Sequence, residues 1–352
     1  PKFGNPTSQT GPNGLTTTWT YDSFGRPTLE TRPDGTRTAF AYAYCAGVAG
    51  GSASCPAHGA YVTTATPQDA GGAQNGPWVK TYHDAHGRAI AADTQGFTGA
   101  IVRQATEYDA LGRTWRESRP YFLSGGTPKW TTYAYDAIGR ALSVTLPDNS
   151  VSTFAYNGLT TSVTNDKNQT ETTVKNARGE IVAVTDANGK TTSFTYDPFG
   201  NRTSITDPAG NVQTMTYDKA GRKIAGVDPD LGAWSYSYNV LGELVSQTDA
   251  KGQTATMTYD TLGRPLTRIE PRLTSTWIYD NTAGGQKGIG KLHTASTSAG
   301  YLRTHSYDSL GRPSSTAIRS ATGEPTHTVS TAYDSHGRVE RIAYPSGFTA
   351  QY

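Results

Sequence analysis

Tyr196-Asp197-Pro198-Phe199-Gly200, Tyr217-Asp218-Lys219-Ala220-Gly221-Arg222, Tyr238-Asn239-Val240-Leu241-Gly242 and Tyr259-Asp260-Thr261-Leu262-Gly263-Arg264 follow one another, their tyrosines 21 residues apart each time. A fixed period of this size marks a repeat architecture, and it is read before any single motif. The regularity also argues against a site in this stretch, because a catalytic or binding constellation breaks a pattern.

Outward from this stretch, the full Tyr-Asp-x-x-Gly-Arg string occurs seven times. Its residues are Tyr21, Asp22, Gly25 and Arg26; Tyr108, Asp109, Gly112 and Arg113; and Tyr135, Asp136, Gly139 and Arg140. Further on they are Tyr217, Asp218, Gly221 and Arg222; Tyr259, Asp260, Gly263 and Arg264; Tyr307, Asp308, Gly311 and Arg312; and Tyr333, Asp334, Gly337 and Arg338. Degenerate copies sit at Tyr196, Tyr238 and Tyr82, the last one residue longer as Tyr82-His83-Asp84-Ala85-His86-Gly87-Arg88. Phe3-Gly4-Asn5 matches Phe199-Gly200-Asn201, and the chain stops at Tyr352 where another Tyr-Asp is due. We read a stretch cut from a longer array, since a free-standing array needs polar terminal units.

Each unit carries a second turn, as in Asp186-Ala187-Asn188-Gly189, Asp207-Pro208-Ala209-Gly210 and Asp249-Ala250-Lys251-Gly252. An Asp opening a turn accepts backbone N–H bonds, and a Gly closing it tolerates positive φ. Segments of about six residues separate the turns, the usual strand length. One repeat is therefore two antiparallel strands and two tight turns. Large residues often stand two before a tyrosine (Trp19, Phe40, Tyr133, Phe154, Phe194, Met215, Tyr236, Met257, Trp277), with Thr, Ala, Ser or Ile between. Period two puts them on opposite faces, one large and one polar. The returning strands add Leu142, Val144, Val182, Val184, Ile205, Ile224, Leu266 and Ile269.

The fold class is all-β: tandem hairpins in one continuous repeat domain over 1–352, irregular at 43–81 and 280–306. Roughly 15 repeats make about 30 strands and about 140 Å of sheet. Open twisted sheets rarely exceed about 10 strands without curling, so a long, curled or spiralling sheet around a space is expected.

Composition agrees. Only 35% of residues are hydrophobic, yet there are 21 Tyr, 6 Trp and 9 Phe, and charge is low at 17%. Disordered chains combine few aromatics with high net charge. The net charge of +2, without a basic stripe, gives no support to nucleic-acid binding. No apolar run reaches the length of a transmembrane helix. Cys45 and Cys55 flank a small-residue segment and are a candidate disulfide in an oxidising compartment; two separate thiols are the alternative.

Other motifs carry little chemistry. Gly285-Gln286-Lys287-Gly288-Ile289-Gly290-Lys291-Leu292 nearly spells a P-loop, but Leu292 replaces the Mg²⁺-binding hydroxyl and no helix follows. His83 and His86 lie in a repeat turn and lack a third metal ligand nearby. The Asp–Arg pairs read as turn elements, and no nucleophile elbow is present. The even aromatic spacing favours cross-strand packing over sugar stacking. Asn168-Gln169-Thr170 and Asn201-Arg202-Thr203 fit the glycosylation sequon by chance in so Thr-rich a chain. No catalytic, cofactor or metal residues are assigned.

Tyr-Asp-x-x-Gly-Arg at about 21-residue intervals resembles the YD, or Rhs, repeat, and the likeness covers nearly the whole chain. The family includes bacterial Rhs polymorphic toxins, the B and C components of Tc toxins, and teneurins. The resemblance implies a hollow β-cocoon that shields a C-terminal toxin domain, in a secreted or cell-surface bacterial protein acting in competition between bacteria. Implied partners are the enclosed toxin domain, flanking repeats, and secretion-system or receptor proteins. The self-cleaving core segment of such proteins is absent from these residues, so neither protease nor toxin activity is expected. The competing expectation is a surface module binding carbohydrate or a receptor, with Trp234 and Trp277 as contact residues. A hidden enzyme site is the third.

Overall fold

The computed structural model describes residues 4–352; Phe3 of the expected first turn lies outside the described residues. The fold is all-β, with 31 strands paired antiparallel and no α-helix among the described residues. Two compact units emerge. Of the described residues, unit 1 comprises 4–153 with Tyr333–Glu340, and unit 2 comprises Phe154–Ala332 with Arg341–Tyr352.

Within unit 2 the strands run as a meander. Thr191–Tyr196 pairs with Arg202–Thr206, which pairs with Val212–Tyr217, then Lys223–Asp228, Gly232–Tyr238 and Leu244–Thr248. Unit 1 repeats the scheme with one irregularity. The two-residue strand Tyr121–Phe122 folds back onto Ile101–Tyr108, beside the regular pairing of Ile101–Tyr108 with Thr114–Ser118.

The turns follow from their Asp and Gly. Asp218 N–H donates to the Arg222 carbonyl at 2.9 Å, and Gly221 N–H to the Asp218 carbonyl at 3.0 Å. Asp218 Oδ1 accepts the Ala220 and Arg222 amides, both at 2.9 Å. Gly221 sits at φ +76°, which a Cβ would strain. These are the bonds of a type I turn closed by a G1 bulge. The bulge appears in the register, where Thr216 faces Ala225 but Tyr217 faces Lys223. The second turn closes identically: Asp207 N–H donates to the Asn211 carbonyl and Gly210 N–H to the Asp207 carbonyl, both at 3.0 Å.

Alternation sorts the faces. Phe194 pairs with Ile205 and Tyr133 with Val144, so the large residues of both strand types meet on one face. The opposite face is laced by threonine pairs: Thr185 with Thr191 at 2.8 Å, Thr248 with Thr254 at 2.9 Å, Thr258 with Thr267 at 2.6 Å. The returning strands depart from the expectation in part. Ile269 pairs with Thr256 on the threonine face and is half exposed. Leu266 and Ile269 are three residues apart, so they cannot share a face. Leu142 and Ile224 are exposed as well.

Very little is fully buried. Among the described residues the buried apolar set is Cys45, Val62, Tyr82, Ala91 and Ala255. A chain this poor in hydrophobic residues is held by its hydrogen-bond ladder and half-covered stripes.

The Tyr82 copy shows what one extra residue does. The register skips between Tyr82 and His83, so His83 takes the place that tyrosine holds in regular turns. A one-residue shift moves a side chain to the other face. Tyr82 therefore leaves the repeat pattern and is buried with Val62 and Ala91. His83 instead stacks on Tyr61, with ring centroids 4.6 Å apart. Tyr82 is thus not the turn tyrosine that its sequence position suggests.

Candidate functional site

The repeat motif builds a clasp between successive hairpins. Tyr217 donates its hydroxyl to the Arg202 carbonyl at 2.8 Å, Tyr238 to Lys223 at 2.8 Å, and Tyr259 to Leu244 at 2.8 Å. The same bond runs from Tyr196 to Ile181, Tyr307 to Leu292, Tyr135 to Thr114 and Tyr108 to Ala89. Every acceptor opens a returning strand one hairpin earlier. Tyrosine thus reaches back along the array.

Arginine reaches forward. In all seven full turns it pairs with its own Asp at 2.6–2.8 Å: Asp22–Arg26, Asp109–Arg113, Asp136–Arg140, Asp218–Arg222, Asp260–Arg264, Asp308–Arg312 and Asp334–Arg338. Several also lie over the tyrosine of the next repeat. The guanidinium carbon stands 4.4 Å from the ring centre for Arg26 over Tyr42, 4.6 Å for Arg113 over Tyr135, 5.0 Å for Arg222 over Tyr238 and 4.4 Å for Arg264 over Tyr279. Arg222 Nη1 also donates to the Asn239 carbonyl at 3.1 Å. Gly25, Gly112, Gly139, Gly221, Gly263, Gly311 and Gly337 lie at φ between +75° and +86°.

The electrostatics follow from this geometry. The amide of Arg222 holds the Asp218 carboxyl below the usual range, and that of Arg264 does so for Asp260. Arg264 also binds both oxygens of Asp280, bringing that carboxyl down to about 2. Tyr133 donates to Glu117 at 2.5 Å, and this bond pushes the phenol up to about 12. Carboxylates fixed in this way order turns; none is poised as a general acid or base near neutral pH.

A second feature lies in unit 1, where the period fails. Cys45 and Cys55 are joined in a disulfide, Cα atoms 5.6 Å apart, and close a loop over Tyr82 and Ala91. Beside it is a cleft of about 740 Å³, lined among others by His58, Arg103, Glu107, Trp115, Tyr121 and Trp130. Cross-strand pairing puts Asp93 opposite Arg103, and the two form a bidentate pair at 2.6 and 2.7 Å. Asp93 is 2% exposed and Arg103 15%. Arg116 pairs with Glu107 through two bonds of 2.9 Å. Its guanidinium carbon stands 4.4 Å from the Trp115 ring centre and 4.3 Å from that of Trp130. The cleft thus offers aromatic surface between neutralised ion pairs. Nothing in the turn pattern points to it; only the broken period at 43–81 marks its neighbourhood.

The remaining sequence candidates fall elsewhere. Asp84 is bound by the His86 and Arg88 amides and the Arg88 guanidinium. Among the described residues no group of three His, Cys, Asp or Glu gathers as a metal site. The P-loop-like glycines lead into the strand Leu292–Thr297, not into a helix.

The fold and the clasp define a class: a tandem β-hairpin array stitched by tyrosine and arginine. Residues 2–37, 176–212 and 238–276 match the family model described as RHS Repeat. Three solved structures share its fold. The TcdB2-TccC3 crystal structure aligns over 98% of this chain and 26% of its own, at 15% identity and TM-score 0.55. The TcdB2-TccC3-Cdc42 complex aligns over 98% and 28%, at 14% identity and TM-score 0.56. The Photorhabdus luminescens Tc holotoxin pore aligns over 99% and 28%, at 14% identity and TM-score 0.56. The chain thus spans about a quarter of the structures it matches. No curated protein matches its sequence significantly.

Proposed function

We propose that this chain is a wall segment of a bacterial RHS-repeat toxin shell, enclosing a C-terminal cargo and shielding it before delivery. The observation that carries the reading is the recurring clasp, which ties hairpin to hairpin in a chain with almost no buried core. The fold shared with the TcdB2-TccC3 structures supports it. A hydrogen-bonded wall keeps proteases and partners from what it encloses, and no reaction is required of it. The Cys45–Cys55 bridge suits an extracellular toxin component. The test is limited proteolysis of the protein expressed from its complete gene. A C-terminal domain that resists protease until the repeats are unfolded is expected. A C-terminal domain digested at the rate of its isolated form overturns the reading.

The unit 1 cleft favours a second reading, in which the array binds carbohydrate or a receptor at the surface. Trp115 lines the cleft and is 43% exposed, and an exposed indole can stack on a sugar ring. Binding to a glycan array, lost on Trp115→Ala with unchanged unfolding, is its expected sign. Equal binding by the variant, or none by the parent, removes it.

A further inference from the structure

The unit 1 cleft has one wall that neither a strand nor a repeat turn carries. Ile90, Ala91, Arg103, Trp115, Tyr121 and Trp130 stand on strands, and Asp84 to Arg88 form a closed strand-end turn. Pro56, Ala57 and His58 make the remaining wall. They belong to residues 45–60, an excursion between the strands Arg37–Tyr44 and Tyr61–Gln68. Those strands pair completely, up to Tyr44 opposite Tyr61, so the excursion hangs from the end of a finished ladder.

The sulfur bridge moors this wall. Backbone bonds anchor the excursion towards its two ends. Cys45 N–H donates to the Ala60 carbonyl at 2.9 Å, Ala60 N–H to the His83 carbonyl at 2.7 Å and Ala53 N–H to the Tyr44 carbonyl at 3.0 Å. The bond from Gly59 N–H to the Pro56 carbonyl at 3.0 Å stays within the wall. Residues 54–60 read Ser-Cys-Pro-Ala-His-Gly-Ala, with no large aliphatic side chain to hold them down. Cys55 itself packs against the cluster of Val62, Tyr82 and Ala91. Gly59 lies so close to the bridge that a Cβ there would meet Cys55 Cβ at 2.9 Å and Cys45 Sγ at 3.3 Å. His58 sits at φ +67°, a left-handed conformation that a non-glycine residue adopts at a cost. The wall therefore relaxes when its mooring is cut.

The mooring is also within reach. Cys45 is 2% exposed, but Cys55 is only half-buried, so a thiolate enters at the Cys55 sulfur. The S–S bond breaks, and Cys45 leaves as a thiolate that takes up a proton. A second thiol then displaces the first from Cys55. Two small thiols are oxidised to one disulfide, and the two protein sulfurs are reduced to thiols.

We propose that the Cys45–Cys55 bond is a redox latch on the cleft: reduction by a low-molecular-weight thiol frees residues 54–59, opens the cleft on that side and uncovers Tyr82. The latch is shut in an oxidising medium and open in a reducing one, while the ladder behind it stays paired. It requires neither reading of the chain's function.

Hydroxyl-radical footprinting of the 352-residue chain reads the change without added residues. The oxidised chain, the chain reduced with dithiothreitol (both thiols free by titration) and the reoxidised chain are compared, with folding checked by circular dichroism. Tyr82 is 6% exposed in the bridged form. After reduction it is expected to be modified at least about threefold faster, as local opening requires, and to return to its first rate on reoxidation. Tyr217 and Tyr259 of unit 2 are expected to keep their rates. The Cys45→Ala/Cys55→Ala chain should match the reduced chain and ignore added thiol. An unchanged Tyr82 rate in the fully reduced chain overturns the latch. So does an equal rise at Tyr217 and Tyr259, which makes the bond a support of the whole fold. A bond that the thiol cannot reach in the folded chain overturns it too. Where the double variant misfolds, the oxidised and reduced parent chains decide.

Discussion

The Tyr259 hydroxyl donates to the Leu244 carbonyl, 2.8 Å away in the preceding hairpin. The tyrosine that ends one strand therefore holds the start of another, fifteen residues back. This is why the motif needs a phenol and not only an aromatic ring.

Removing that hydroxyl tests the claim. Tyr259→Phe and Tyr135→Phe each lose one partly buried hydrogen bond, which costs about 1 kcal/mol of unfolding free energy. The two bonds share no partner, so the double variant is expected to lose the sum within about 0.5 kcal/mol. Urea unfolding followed by tryptophan fluorescence reads both. Unchanged midpoints refute the clasp.

Arginine is expected to resist replacement by lysine. Arg264 pairs with Asp260 and Asp280 and lies over Tyr279. A lysine keeps the charge but loses the planar fork. Arg264→Lys should lower the thermal midpoint clearly more than Arg338→Lys, whose arginine is 64% exposed. Equal shifts would show that charge alone matters.

Acid should loosen the array. The carboxyls of Asp218, Asp260 and Asp280 are lowered in the folded state, the last to about 2. Their contribution is complete above the ordinary unfolded value near 4 and fades as pH falls through the folded values. Urea midpoints measured from pH 7 down to 2 should hold through the carboxylate plateau and drop between about pH 4 and 2. A flat profile across that window contradicts the turn bonding.

Unit 1 has its own weak points. Asp93→Asn leaves Arg103 without its bidentate partner in a nearly buried site, an expected loss of about 3 kcal/mol. Cys45→Ser opens a loop with a sequence separation of 10, an expected loss of about 2–3 kcal/mol. Hydrogen exchange should show both losses around Tyr82 and leave residues 191–259 of unit 2 unchanged. A uniform change along the chain would show that the effect is not local.

The turns were legible because their chemistry is local: Asp accepts the amides two and four residues on, and Gly supplies the left-handed position. The 21-residue period revealed the array but not its stitching. The tyrosine bond and the arginine–ring contact cross between hairpins, and a spacing does not say which groups meet. Asp–Arg pairing was expected within a turn; that Arg222 also reaches Tyr238 was not. The inserted His83 was visible as one residue too many, yet its effect on Tyr82 needs the strand register. The cleft was least legible, since Asp93, Arg103, Glu107 and Arg116 converge only through cross-strand pairing.

The back-and-forward stitching also has a mechanical meaning. A pull applied across a hairpin stack loads the clasps one after another, because each ties only neighbouring repeats. Such a ribbon should yield by peeling from an end, in even steps of one repeat, at forces far below those that shear a strand out of a sandwich. Tough along its length, it would be easily unzipped once one end is seized.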